Sequence, residues 1–450
     1  MTAPPIDLAL RSRRVVLPDG VRPATVLVAG SRIIEIAGHD ELPPETAVTD
    51  LGDLVLMPGL VDSHVHINEP GRTDWEGFDT ATRAAAAGGI TTLADMPLNS
   101  TPVTTTVEAL ETKLAAARGQ LHVDCGFLGG LIPDNLADLE PLMDAGVMGF
   151  KAFLIDSGID DFPAVISAEL QAAMPLLAAR GYPLLVHAEV GFDFGSSNGD
   201  GSYAAYLESR PRSWENDAIR MLVQLCQDFG CPVHIVHLSS ADALSIIARG
   251  RRNGWPLTVE TCPHYLFFDA EEIADGDTGL KCAPPIRERE NRERLWKGLS
   301  GGLIDAIVSD HSPCTPDLKQ LGGGNFRTAW GGIASLQFTL PAVWTEARER
   351  GHSLTEIARW MCAKPAELLG LTGRKGALRP GYDADIVVWD PDAEFTVTRA
   401  MTKHKHPFTP YENRTLAGTV MATYLRGRKI YAGGELLAPA TGEILLRQDG

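Results

Sequence analysis

Cysteine is scarce and unpaired in pattern. Seven residues (Cys125, Cys226, Cys231, Cys262, Cys282, Cys314 and Cys362) are scattered through 450 positions without C-x-x-C spacing. A disulfide framework and a zinc ribbon both need tighter, paired thiols, so neither is expected. Long apolar runs are also missing. No tract of about 18 consecutive apolar residues occurs, which removes the usual signature of a membrane-spanning helix. The opening MTAPPIDLALRSRR has no apolar h-region and no small-residue cleavage site, so a soluble cytoplasmic protein is expected. Basic charge is in deficit: 40 Lys and Arg stand against 58 Asp and Glu, a formal charge of −18. That sign repels polyphosphate and anionic lipid, so neither a nucleic acid nor a membrane is an expected partner.

What is present has ordinary globular proportions, 44% apolar and 22% charged, which argues against wholesale disorder. Two β-rich flanks bracket the chain. Residues 1–56 carry VRPATVLVAG and SRIIEIAG; residues 376–450 carry GALRPGYDADIVVWDP, EFTVT and GTVMATYLRGRKIYAGG. Each flank alone would leave apolar surface and strand edges open, which gives the two a reason to pair as one small β-sandwich. Residues 57–375 alternate short β-branched runs (GLVDSHVHI, ITTLADM, HVDCGFLGG, GVMGFKAFLI, PLLVHAE, PVHIVHLS, PLTVETCPHY, DAIVSDH) with Ala/Leu/Glu-rich stretches ending at glycine. Eight such alternations predict an α/β architecture, a (β/α)8 TIM-like barrel. Chemistry in that fold sits at the C-terminal ends of the strands.

Ionisable residues gather at those ends. His64 and His66 end the first strand candidate and Lys151 lies in the fourth. His187, His237, His264 and Asp310 end the fifth to eighth. Residues two apart on a strand share a face, so His64 and His66 project together, with Asp62 behind them as a carboxylate able to fix an imidazole tautomer. A lone buried histidine is more often a hydrogen-bonded core residue than a ligand. Asp310 before Ser-Pro is commonly a turn cap. His264 and His311 are ambiguous, Cys262, Cys282 and Cys314 read as packing residues, and KHKH at 403–406 reads as a solvated loop. Four histidines, an aspartate and a lysine at one barrel mouth are nonetheless hard to explain as packing.

Lys151 is the most informative residue. It stands in the apolar strand GVMGFKAFLI, where a bare ammonium is costly and would repel a metal. Either it reaches water or it is neutralised. Reaction of the amine with carbon dioxide gives N6-carboxylysine, an anionic oxygen ligand able to bridge two cations. Four positive charges from two divalent cations, less those of carbamate, Asp310 and one hydroxide, leave a residue that lowers the pKa of bound water. Imidazole and oxygen ligands suit zinc, with Mn, Co, Ni or Fe as alternatives.

PGLVDSHVHI, GFKAFL, VHAE, VHLSS, TCPHY and SDHSP, in that order, resemble the cyclic amidohydrolases of the metal-dependent amidohydrolase superfamily, over nearly the whole chain. HVHINEPGRTDWEGF, ADMPLNSTPVT, GFKAFLIDSGIDDFP, KCAPPIRERENRERLW and NFRTAWGGIASLQF are most similar to the allantoinases within that group. The resemblance implies that His64 and His66 hold one metal with Asp310, His187 and His237 hold a second, and carboxylated Lys151 bridges both. It also implies that a bridging hydroxide attacks a ring carbonyl of allantoin while Asp310 carries the proton to the departing nitrogen, giving allantoate in purine catabolism. Asn99 would face the substrate, Trp330 would lie in a loop offering backbone contacts, and the protein would be a homo-oligomer, a tetramer. Dihydroorotases place an arginine two residues after H-x-H to meet a carboxylate; Asn68 stands there instead, with Arg72 nearby. Dihydropyrimidinases and hydantoinases carry a different segment from NEPGRTDWEGF. A metal-free scaffold relative would lack ligands, whereas every ligand position here holds a competent residue.

Overall fold

The computed structural model describes residues 5–41, 46–191 and 200–448. Both chain ends enter one nine-stranded sheet. Leu8–Leu17, Gly20–Ala29 and Arg32–Gly38 form an antiparallel meander, and Val55–Pro58 lies parallel beside the first of them. The seam between the two ends is Val55–Pro58 against Ile386–Trp389, with Leu56 opposite Val388 and Met57 opposite Val387. Thr415–Leu425 and Arg428–Ala432 continue the sheet outward. Leu10, Val15, Val26, Val28, Ile33, Leu56, Ile386 and Val388 fill its core, each worth about 1.5–3 kcal/mol when fully buried. EFTVT is not a separate strand: residues 394–396 are the far end of Ile386–Thr396, past a register shift after Asp390.

Between the flanks runs a (β/α)8 barrel. Its parallel strands are Leu60–Val65, Ile90–Asp95, Asp124–Phe127 (resuming at Gly129–Gly130), Phe150–Phe153, Leu184–His187, Val233–Ile235, Leu257–Thr261 and Ala306–Ile307. The ring closes where Val65 bridges His311 and the His66 amide donates to the His311 carbonyl at 2.8 Å. Strands covered on both faces read as apolar runs, which is why every residue of FKAF and LLVH is buried. Arg212–Phe229 shows the helical counterpart: Ala218, Ile219, Leu222, Val223 and Cys226 recur every three or four residues as its buried stripe. It ends at Gly230, whose φ of 64° is a left-handed conformation glycine adopts without strain.

Buried charges pin the barrel to the sandwich. Lys375 Nζ lies 2.6 Å from Asp124 on the third barrel strand, 2.6 Å from Asp385 and 3.0 Å from Asp383, and Arg426 also pairs with Asp124. Those three carboxylates have the spacing of a metal site but already hold an ammonium. Among the described residues no helix is long and apolar enough to cross a membrane.

Candidate metal centre

The strand ends surround a cavity of about 740 Å³ lined by His64, His66, Lys151, His187, His237 and Asp310, together with Asn99 and Trp330. His66 lies one residue beyond its strand, His237 two beyond Ile235 and Asp310 three beyond Ile307. His237 (φ 38°) and Asp310 (φ 46°) occupy the left-handed region, a strained choice for non-glycine residues that turns the chain sharply at the strand exits. The imidazoles form a row of neighbours: centroids are 5.5 Å apart for His66 and His64, 5.5 Å for His64 and His237, and 4.6 Å for His237 and His187.

Second partners decide which nitrogen each imidazole offers. His64 donates from Nδ1 to Glu260 Oε1 at 2.6 Å, leaving Nε2 toward Asp310 Oδ1 at 3.3 Å. His187 donates from Nε2 to Glu189 at 2.7 Å, and Glu189 is itself gripped by Arg210. Burial raises the Glu189 carboxyl, but Arg210 and His187 outweigh it and bring it down to about 2, so it stays an acceptor. Burial drives His66 down to about 4 and pushes His187 and His237 downward as well, which keeps these imidazoles neutral and able to ligate.

The donor set fits metal ions. A lone pair on His64 Nε2 and an oxygen of Asp310 face each other, and His66 Nε2 lies 3.6 Å from that same oxygen. The His64 lone pair and the Asp310 carboxylate so placed suit a cation between them. Lys151 is fully buried, its Nζ has no hydrogen-bond partner among the described residues, and it lies 5.0 Å from the Phe153 ring. Burial lowers its ammonium to about 8 against the pull of Asp310 and Glu260, so neutral amine is available near neutral pH. His64, His66 and Asp310 place their ligand atoms within 4.8 Å of one another.

Other expectations land differently. Asp62 does not orient an imidazole; it accepts from the backbone amides of His64 and Ser309 at 3.2 Å, tying the first strand to the eighth. Asp310 caps no helix, since its carboxylate faces the imidazoles and only its carbonyl receives Ser312 Oγ. His264 does not end the seventh strand. That strand stops at Thr261, and Pro263 starts the short helix Pro263–Phe267 that carries His264. KHKH is no solvated loop: His404 is buried with its ring 5.3 Å from His311, and the Lys405 amide donates to Glu76. Glu76 also accepts from His311 Nε2 at 3.3 Å. Cys262, Cys282 and Cys314 are buried, and Cys282 lines the cavity. Asn99 Nδ2 lies 3.3 Å from His66 Nδ1, and Trp330 packs edge-on to Trp75 at 4.8 Å.

Sequence reasoning missed Glu260, Glu189 and Arg210. An isolated carboxylate in the apolar run LTVET and the Glu of HAE were the available signals. It also missed Lys319, buried and donating to the carbonyls of Lys281 at 2.7 Å and Trp330 at 3.0 Å, and to that of Gly332, so that it fastens one wall of the cavity.

Comparison with known proteins agrees with this architecture. Residues 55–430 match the Amidohydrolase family. An allantoinase of Streptomyces avermitilis is 52% identical over 98% of this chain and 99% of its own length. An allantoinase of Arabidopsis thaliana is 46% identical over 97% and 90%. Among solved structures, the L-hydantoinase (dihydropyrimidinase) of Arthrobacter aurescens superposes with a TM-score of 0.94 at 31% identity, covering 98% of this chain and all of that one (100%). The chain therefore belongs to the amidohydrolase family, as a metal-dependent cyclic amidohydrolase on its allantoinase branch.

Proposed function

We propose that this chain hydrolyses the cyclic amide of allantoin to allantoate, a step of purine breakdown. The observation that carries the reading is the gathering of four imidazoles, one unpartnered buried amine and one carboxylate at the end of a single cavity. In this reading His64, His66 and Asp310, which line the cavity, would hold one divalent ion, His187 and His237 would hold a second, and Lys151, carboxylated on Nζ, would serve both. Zinc suits these ligands best, with Mn, Co, Ni or Fe as alternatives. Bound there, such a pair would lower the pKa of a water and polarise the ring carbonyl.

The chain's own groups do the remaining work. Burial works to raise the Asp310 carboxyl, but His64 and His66 outweigh it and leave it below the usual range, so it stands ionised. Asp310 takes the proton of the attacking water and returns it to the departing ring nitrogen. Glu260 and Glu189 hold the tautomers that expose the ligating nitrogens. Asn99, beside His66 in the cavity, offers an amide to the substrate, and Trp330 carries a wall of backbone groups fixed by Lys319.

The position where dihydroorotases carry a carboxylate-binding arginine offers no cation here. Asn68 is turned away, donating to the Pro313 carbonyl at 3.2 Å, and Arg72 is engaged by the Asn99 carbonyl and the Trp75 ring. Residues 1–56 and 376–450 are read as one β-sandwich around a catalytic barrel of residues 57–375, in a cytoplasmic homotetramer. Initial rates on allantoin, dihydroorotate, dihydrouracil and hydantoin, with zinc- and manganese-loaded protein, test the substrate assignment. Allantoin should be preferred; a faster rate on hydantoin or dihydrouracil would reassign the chain to the chemistry of its structural neighbours.

A further inference from the structure

We propose that Cys262, His264 and Asp310 form a third cation site, which takes a soft divalent ion such as Cd²⁺ and silences the enzyme by occupying Asp310. The ligand atoms of these three residues lie within 4.8 Å of one another, the same span that groups His64, His66 and Asp310. The local sequence builds the cluster. The seventh strand ends at Thr261, Cys262 caps the turn, and Pro263 begins the short helix that carries His264 one step further.

His264 supplies the independent sign of a ligand. It is fully buried, yet among the described residues neither ring nitrogen has a hydrogen-bond partner, and the Tyr265 ring packs edge-on to it at 4.2 Å. A buried imidazole left unpaired at both nitrogens is costly, and a cation would satisfy one of them. Thiolate with imidazole selects softer ions than the imidazole and oxygen set beside it. Of the three, Asp310 lines the cavity, while Cys262 and His264 are fully buried. Binding is balanced without any redox partner: the Cys262 thiol releases its proton to water as the sulfur–metal bond forms, as coordinating thiols do. A carboxylate bound to an additional cation no longer accepts a proton, which stops turnover.

The inhibitory half rests on the role of Asp310 proposed above; the binding half does not. The test titrates holoenzyme, loaded with its resident metal, with Cd²⁺ alone, following bound metal, ultraviolet Cd–thiolate charge-transfer absorption and turnover together. One further equivalent should bind with the thiolate absorption while resident metal stays, and turnover should fall in step. Cys262→Ser should abolish the absorption. Relative to its own uninhibited rate, it should raise the inhibition midpoint at least about tenfold, a loss seen even when only an outer partner of a metal site is removed. His264→Asn should raise the midpoint likewise while keeping some absorption, which preserves the test if the serine variant does not fold. Unchanged absorption in Cys262→Ser, or one-for-one displacement of resident metal, would overturn the site. Binding without inhibition would overturn its effect. In a protein without ring-opening activity, stoichiometry and absorption still report on the site, so the two failures are distinguishable.

Discussion

Glu260 accepts the Nδ1 proton of His64 at 2.6 Å, and its other oxygen accepts His234 Nε2 at 2.9 Å. The His237 amide also leans on Glu260 Oε1 at 3.4 Å, so one carboxylate from the seventh strand touches both groups of candidate ligands. A glutamine in its place has a single acceptor oxygen. Glu260→Gln therefore forces His64 or His234 to lose its bond or change tautomer. Metal affinity should fall about 10–100-fold, as expected for an outer-shell partner, measured by competition with a chromophoric chelator. Unchanged affinity would mean that the tautomer of His64 is set elsewhere.

Lys151→Ala should lose metal and activity together, and a short carboxylic acid in solution should restore part of both by standing in for the carbamate. Lys151→Arg should not rescue, because a guanidinium does not form the carbamate and adds a fixed positive charge. Metal analysis with and without acetate separates these outcomes, and full activity in Lys151→Ala would remove the bridging role.

Asp310→Asn should keep more metal than activity. The amide oxygen still ligates, but it takes no proton, so kcat should drop about 10²–10⁴-fold, the usual worth of general acid–base catalysis. Metal content by elemental analysis should fall far less than kcat.

His404 gives a pH prediction away from the candidate ligands. Burial, then the neighbouring His311, lowers it to about 3, below its ordinary value near 6.5. The unfolded chain therefore binds a proton that the folded one does not. Stability from this group is full above about pH 6.5 and declines as pH falls toward 3, by up to about 1.4 kcal/mol per unit. Urea unfolding of His404→Leu holoenzyme should show a shallower acid limb than the parent. Parallel limbs would contradict the buried neutral imidazole.

Much of this layout was legible because the signals were local. H-x-H put two imidazoles on one face through the two-residue strand period, and Lys151 stood out as a charge inside an apolar strand. The barrel could be read from alternating strand and helix patterns with glycine stops such as Gly230. What escaped depends on pairing across the barrel. Glu260 reaches His64 from 196 residues away, a contact that no spacing encodes. Asp62, two residues from His64, was the wrong carboxylate because the backbone amides of His64 and Ser309 occupy it. His264 was misplaced because Pro263 starts a helix where a strand pattern still ran, and His404 because a charged tetrapeptide looks solvated until Glu76 and His311 are seen beneath it.

The most direct measurement is allantoate formation by protein stripped with a chelator and then titrated with zinc. Turnover should vanish on stripping and return in proportion to bound metal, levelling off at about two equivalents per chain, the stoichiometry of a two-metal site. Stripped protein that still opens allantoin, or metal-loaded protein that leaves it intact, would contradict the central claim.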